Sequence, residues 1–171
     1  MIFVTGNKFK QQEIRNVLKN VEFADIDLKE VYSMNPFEIV IYKLLEAKKI
    51  LNRDKIMVED VTMNVNNIFC PDIKWKIDEL KQNDKVTMIH TLGYLEGDFV
   101  YLFKREISGV VDLLAPKKYE FGFDNIFIVD GYQYGEAKKF DKYNIRKQNL
   151  EDYIRFNYDK KINANTIGEW T

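Results

Sequence analysis

Carboxylates and lysines must carry the polar chemistry of this chain, because it contains a single histidine, His90, and a single cysteine, Cys70. A His/Cys zinc site and a histidine-dependent triad are thereby excluded. An oxygen-bound hard cation such as magnesium is the natural metal partner. Cys70 reads as a small packed apolar residue, and His90, inside the alternating run Val86-Thr87-Met88-Ile89-His90-Thr91-Leu92, reads as a strand residue. Three short stretches combine residue types that could act on a phosphorylated ligand. The first is Thr5-Gly6-Asn7 followed by Lys8 and Lys10. Gly6 permits close backbone approach, a helix starting here offers unpaired N–H groups, and the lysines add charge. The stretch is neither a Walker loop nor a dinucleotide fingerprint, and an ordinary capped strand-to-helix turn fits the same residues. The second is the acidic pair Glu59-Asp60 at the end of a short apolar run. With Glu30 it could hold magnesium on a triphosphate and orient or deprotonate a water. A solvated acidic strand end is the alternative. The third is Phe121-Gly122-Phe123-Asp124. Aromatic faces sandwich nucleobases and a carboxylate accepts from ring N–H or amino groups, while plain hydrophobic packing is the alternative there.

The elements that must position these residues follow from periodicity. Met1 to Val4 predict a buried strand stopping at the Thr5-Gly6-Asn7 turn, with Asn7 capping a helix through Ile14, Val17 and Leu18. Val21 to Ile26 predict a second strand. Pro36 starts a helix running to about Leu51, with Phe37, Val40, Leu44, Ala47 and Leu51 on one stripe. Lys55 to Val58 form a short strand that ends in the acidic pair, where ligands approach an open α/β sheet. Pro71 opens a helix carrying Ile73, Ile77 and Leu80. From Lys85 to Val111 the period changes to that of strands, broken at the hairpin turn Glu96-Gly97-Asp98 and again near Arg105. A short strand from Ile126 to Val129 and a helix from about Arg146, carrying Leu150, Tyr153 and Ile154, complete the pattern. Residues from about 159 to 171 are polar and weakly patterned, which predicts a loose tail.

At 171 residues the chain is expected to form a single α/β domain with mixed strands, with no internal repeat or linker. The formal net charge of -1 gives no general attraction for a nucleic-acid polymer or an anionic membrane, so any polyanion must be held by a local lysine cluster. The lone cysteine fits a reducing, cytoplasmic location. No apolar stretch approaches the roughly 20 residues of a membrane span, and no signal peptide is expected.

In order along the chain, Phe3-Val4-Thr5-Gly6-Asn7 with Lys10, Asp27-Leu28-Lys29-Glu30, Lys43 before Glu46-Ala47, Val58-Glu59-Asp60, Ile73-Lys74-Trp75, Ser108-Gly109 leading to Ala115-Pro116, and Phe121-Gly122-Phe123-Asp124 followed by Phe127 and Asp130-Gly131-Tyr132 resemble the inosine triphosphate pyrophosphatase family. Each motif is weak alone; their joint order from Phe3 to about Lys142 carries the resemblance. It implies an elongated twisted mixed β-sheet with flanking helices, two lobes around a central nucleotide cleft, and a homodimer. It implies magnesium-dependent hydrolysis of an oxo-purine or modified nucleoside triphosphate to monophosphate and pyrophosphate. By position, Thr5 to Lys10, including Lys8, resembles the triphosphate turn. Glu30, Glu59 and Asp60 supply the metal-associated carboxylates, with Lys10, Glu30 and Asp60 as the catalytic group and Asp60 acting on the water. Lys43 and Lys74 face the nucleotide, Phe121 to Asp124 form the base wall, and Lys142 precedes the base-reading signature. That signature, normally Ser-His-Arg, aligns here with Arg146-Lys147-Gln148; Lys147 and Gln148 can still donate to a carbonyl. Two other departures are Val61, in place of a small hydroxyl residue, and a shortened Asn66-to-Pro71 loop. These departures leave a second expectation, a nucleotide-binding or interaction module with weak catalysis on the same fold.

Overall fold

The computed structural model describes residues 1–170; Thr171 and the side chain of Trp75 lie outside the described residues. The chain is mixed α/β, as expected. In order it forms β1 (Ile2–Val4), α1 (Lys8–Arg15), β2 (Glu22–Ala24), α2 (Pro36–Leu51), β3 (Ile56–Val65), β4 (Ile68–Cys70), β5 (Lys85–Glu96) and β6 (Phe99–Val111). The short α3 (Gly122–Ile126), β7 (Phe127–Val129), β8 (Tyr132–Gln133), α4 (Tyr134–Ala137), α5 (Ile145–Ile154) and β9 (Lys160–Asn163) follow. The strands form one nine-stranded sheet in the order β2-β1-β3-β5-β6-β7-β8, with β4 added beside β3 and β9 beside β6. β1 runs parallel to both β2 and β3, whereas β4, β7, β8 and β9 pair antiparallel with their neighbours.

Two compact units share these strands: residues 1–60, 91–104 and 149–170 form the first, and residues 61–90 and 105–148 the second. In the first unit, β1 is buried at every position, as expected of a strand with helices over both faces. One face packs Ile2, Val4, Ile56, Val58, Leu95, Val100 and Leu102 under Val40, Ile41, Leu44 and Ala47 of α2. The other face packs Phe3, Met57, Leu92, Tyr94 and Phe103 against Ile14 of α1, Leu18 and Leu150 of α5. Local chemistry sets both helices. Asn7 caps α1 by accepting from Lys10 N at 3.1 Å. Asn35 caps α2 by accepting from Phe37 N at 3.0 Å, Pro36 takes the first turn, and Asn52 ends the helix in the left-handed conformation. Gly93 lets α2 close on β5, for a Cβ there would stand 2.2 Å from Val40 Cγ1. The second unit has its own core, in which Met63, Val86, Met88, Val111, Phe123, Phe127, Val129, Tyr134 and Ile145 are buried.

Several elements depart from the sequence expectations. β3 does not stop at Val58 but continues through Glu59-Asp60 to Val65, because Val61, Met63 and Val65 extend its apolar pattern into the second unit's core. It then turns back through Asn66 and Asn67, both at positive φ, into β4. β6 is unbroken at Arg105. The expected helix after Pro71 is only two 3₁₀ turns, Ile73–Trp75 and Ile77–Glu79, because Lys76 between them leaves helical geometry. Ile73 and Leu80 are nevertheless buried. The expected loose tail is ordered over residues 160–163, which pair with Phe99–Leu102 of β6. Beyond it, Tyr42 of α2 donates to the Gly168 carbonyl at 3.0 Å and its ring meets Trp170.

Candidate functional site

β3 distributes the acidic residues by its pleat. Successive strand side chains point to opposite faces, so Val58 joins the cluster under α2 and Met57 the cluster under α1. Asp60 continues the α2 side and meets Lys43 of α2, with Nζ to Oδ1 at 3.7 Å. Glu59 continues the α1 side and meets Lys10 of α1, with Nζ to Oε1 at 3.6 Å. Glu30, in the segment before α2, joins the first arrangement: its Oε1 lies 3.8 Å from the same Lys43 Nζ. Lys43 also donates to the Glu59 carbonyl at 2.9 Å. Its side chain is 14% exposed and that of Asp60 is 11% exposed, so this ammonium and carboxylate interact with limited solvent screening.

The three carboxylates expected to hold a metal are divided between two lysines. Glu30 and Asp60 share one cation, while the Glu59 carboxylate is turned to the opposite face by the strand period and pairs with Lys10. Among the described residues no group of three His, Cys, Asp or Glu side chains is gathered to hold a metal ion. Two carboxylates and no soft ligand nonetheless suit magnesium, which keeps several waters and takes the rest of its shell from phosphate oxygens.

The turn before α1 is closed by local hydrogen bonds. Asn7 N donates to Thr5 Oγ1 at 3.3 Å, and Gln11 Nε2 donates to the Thr5 carbonyl at 2.9 Å. Gly6, Asn7 and Lys8 are exposed. Gly6 lies under the Asp25 carboxylate, which a Cβ at position 6 would meet at 2.2 Å and displace. Asp25 is a neighbour that sequence reading missed; its place just after β2, which pairs with β1, was the available signal.

In the second unit, the Phe121–Asp124 segment divides in two. Phe121 is 57% exposed, while Phe123 is 2% exposed and stacks on Phe127 with centroids 4.9 Å apart. Phe123 thus belongs to the core and is not a base platform, a correction that the short α3 explains by turning adjacent rings to different sides. Asp124 is likewise committed, with Oδ2 2.9 Å from Lys138 Nζ. Gly122 is exposed at the start of α3, and Lys74 is exposed on its 3₁₀ turn. Lys142 lies over the Tyr143 ring at 4.8 Å, and a hydrogen bond with Tyr143 holds its ammonium above the ordinary lysine value. Lys147 Nζ sits 2.7 Å from Asp141 Oδ1, and Gln148 Nε2 donates to the Asp141 carbonyl at 2.9 Å. Asp141, not singled out from the sequence, thereby contacts both residues. Val61 and Cys70 both pack against this unit's core, which accounts for an apolar residue at position 61 and supports the packing role expected of Cys70. His90 is buried within β5, as expected of a strand residue.

No family model matches the chain. The inosine triphosphate pyrophosphatase of Schizosaccharomyces pombe is 26% identical over 162 residues, covering 83% of this chain and 84% of that protein. A dITP/XTP pyrophosphatase of Methanosarcina mazei is 24% identical over 176 residues, covering 91% and 96% respectively. Among solved structures, the Ham1 protein of Staphylococcus aureus superposes with a TM-score of 0.66 at 18% identity, covering 91% of this chain and 96% of that one.

Proposed function

Because the chain is a divergent member of the inosine triphosphate pyrophosphatase (Ham1) family, we infer that it hydrolyses a nucleoside triphosphate, oxo-purine or modified, to monophosphate and pyrophosphate. The observation that carries this reading is the array on β3, in which Glu30 and Asp60 share Lys43 while Lys10 pairs with Glu59. Lys10 belongs to α1, and Lys8 is exposed at the start of that helix. Lys8, Lys10 and Lys43 neutralise the triphosphate, and Asp60 orients and deprotonates the attacking water. Magnesium, when bound by Glu30 and Asp60, supplies charge for the attacked phosphoryl group and the leaving pyrophosphate.

The residues that the family resemblance assigns to base recognition are Phe121, Lys147 and Gln148. Phe121 is the exposed ring available for stacking, and Lys147 and Gln148 are the donors available to a base carbonyl. Both donors are held by Asp141, and a lysine-aspartate pair does not reproduce a His-Arg pair in reach or hydrogen-bonding plane. A shifted or broadened base preference follows, with inosine and xanthosine triphosphates the first candidates. That same tethering favours the second reading, a nucleotide-binding module with weak turnover. The reading also carries a cytoplasmic location and a homodimer, the latter checked by light scattering of the purified protein. A panel of standard, deaminated and modified ribo- and deoxyribonucleotides, with pyrophosphate release followed in magnesium, decides between the two. Turnover no higher than that of an Asp60→Asn control removes the enzyme reading, and release of orthophosphate removes the assigned bond.

A further inference from the structure

The lysine at the centre of the acidic pair has a second consequence. Lys43 is on α2, a helix held in place by Val40 and Leu44, both fully buried. Its ammonium is within 3.8 Å of Glu30 and 3.7 Å of Asp60, and its hydrogen bond to the Glu59 carbonyl anchors it to the β3 backbone. A divalent ion bound by Glu30 and Asp60 would bring a second positive charge beside the Lys43 ammonium, which already lies within 3.8 Å of one oxygen of each carboxylate. The two cations repel each other, and a partly buried setting screens that repulsion poorly. Lys10 does not relieve the conflict, because the strand pleat commits it to Glu59 on the other face.

We propose that Lys43 is the resident counter-cation of the Glu30-Asp60 pair and that a divalent metal binds by displacing it. In the metal-free protein the one ammonium offsets part of the charge of the two carboxylates, and once displaced it becomes available to an incoming polyphosphate. Metal and phosphate binding are thereby coupled through one side chain: the ion frees Lys43, and a phosphate that holds Lys43 favours the ion by the same factor. This rests on the pyrophosphatase reading for the identity of the polyphosphate but not for the exchange itself.

The test measures metal binding to the full chain with no nucleotide present. Manganese(II) titration followed by the EPR signal of the free ion should show Lys43→Met binding tighter than the native protein, on the order of tenfold or more. Lys43→Arg, which keeps the charge, should remain weak. Equal or weaker binding by Lys43→Met overturns the proposal. A second measurement uses the native protein and so survives a variant that fails to fold. Saturating magnesium should raise the acetylation rate at Lys43, read by mass spectrometry relative to exposed Lys55, because the ammonium leaves its carboxylates. An unchanged ratio overturns the proposal. Tighter manganese binding by Lys43→Met in a protein that hydrolyses no nucleotide would leave the exchange standing and remove only the pyrophosphatase reading. Turnover with a metal-insensitive Lys43 would do the reverse.

Discussion

Substituting Gly93 by alanine tests whether packing behind the acidic site positions its lysine. The added Cβ would sit 2.2 Å from Val40 Cγ1 and 2.9 Å from Leu44 Cδ1, far inside van der Waals contact. Both partners are fully buried on α2, so neither can swing into solvent, and relief must come from movement of the helix away from β5. Overpacking of this kind costs about 1–3 kcal/mol. For a chain of this length each kcal/mol lowers Tm by about 2–4 °C, so thermal unfolding of Gly93→Ala should fall by roughly 2–12 °C. The same movement carries Lys43, adjacent to Leu44 in sequence, away from Glu30 and Asp60. Misplacement of a reacting constellation by about 1 Å can cost 100-fold in rate, so pyrophosphate release well below the variant's Tm should drop by about 10- to 100-fold. Calorimetry and a steady-state assay at about 15 °C below that Tm separate the two effects. An unchanged Tm refutes the close approach of α2 to β5. A lowered Tm with native turnover refutes the link between that packing and the site.

Three further outcomes are expected. Asp60→Asn should still fold, because Lys43 keeps Glu30 and the Glu59 carbonyl as partners, while kcat falls by about 10²- to 10⁴-fold; a loss under tenfold would remove Asp60 from water activation. Phe123→Ala should cost about 3–5 kcal/mol of stability, whereas Phe121→Ala should leave denaturant midpoints unchanged and raise KM, so equal stability losses would contradict the division of that segment. Asp84 accepts from Lys81 N at 2.8 Å and from Asn66 Nδ2 at 2.9 Å, and these bonds, the backbone one foremost, depress its carboxyl pKa. Its contribution to stability is present above the unfolded carboxyl value of about 4 and is lost as pH falls through the lower folded value. The Tm gap between native protein and Asp84→Asn should therefore close in acid, and a gap constant from about pH 7 to pH 2 would refute it.

What the sequence shows depends on whether local chemistry or distant packing decides the outcome. Pro36 with Asn35, Asn7 before Lys10, and the turn at Gly97 act within a few residues, and the helices and hairpin begin or turn where those residues place them. β3 is different. An acidic pair inside an otherwise apolar run looks like a strand end, and only pairing with neighbouring strands carries the element on to Val65. The period-2 pleat then separates Glu59 from Asp60, a division that could be drawn only once both were known to be mid-strand. Phe121 and Phe123 are equivalent as letters, and the second unit's core decides which one is buried. The apolar spacing of Ile73, Ile77 and Leu80 is helical, yet the nucleation cost of a helix outweighs it in so short a segment. The grip of Asp141 on Lys147 and Gln148 depends on a 3₁₀ turn at Asp141–Tyr143 that spacing does not announce.

The edge strand β9 bears on how the molecule comes to be folded. The first unit is assembled from three stretches separated along the chain, and its last contribution pairs residues 160–163 with 99–102. The pairing closes a long loop, and such closure is penalised before any contact rewards it. Residues 1–60, which include the whole acidic array, can thus be made early and still wait for a distant partner to finish the sheet beneath them. A truncation that removes residues 160–170 would leave residues 99–102 of β6 without that partner and Tyr42 of α2, one residue before Lys43, without its bond to the Gly168 carbonyl.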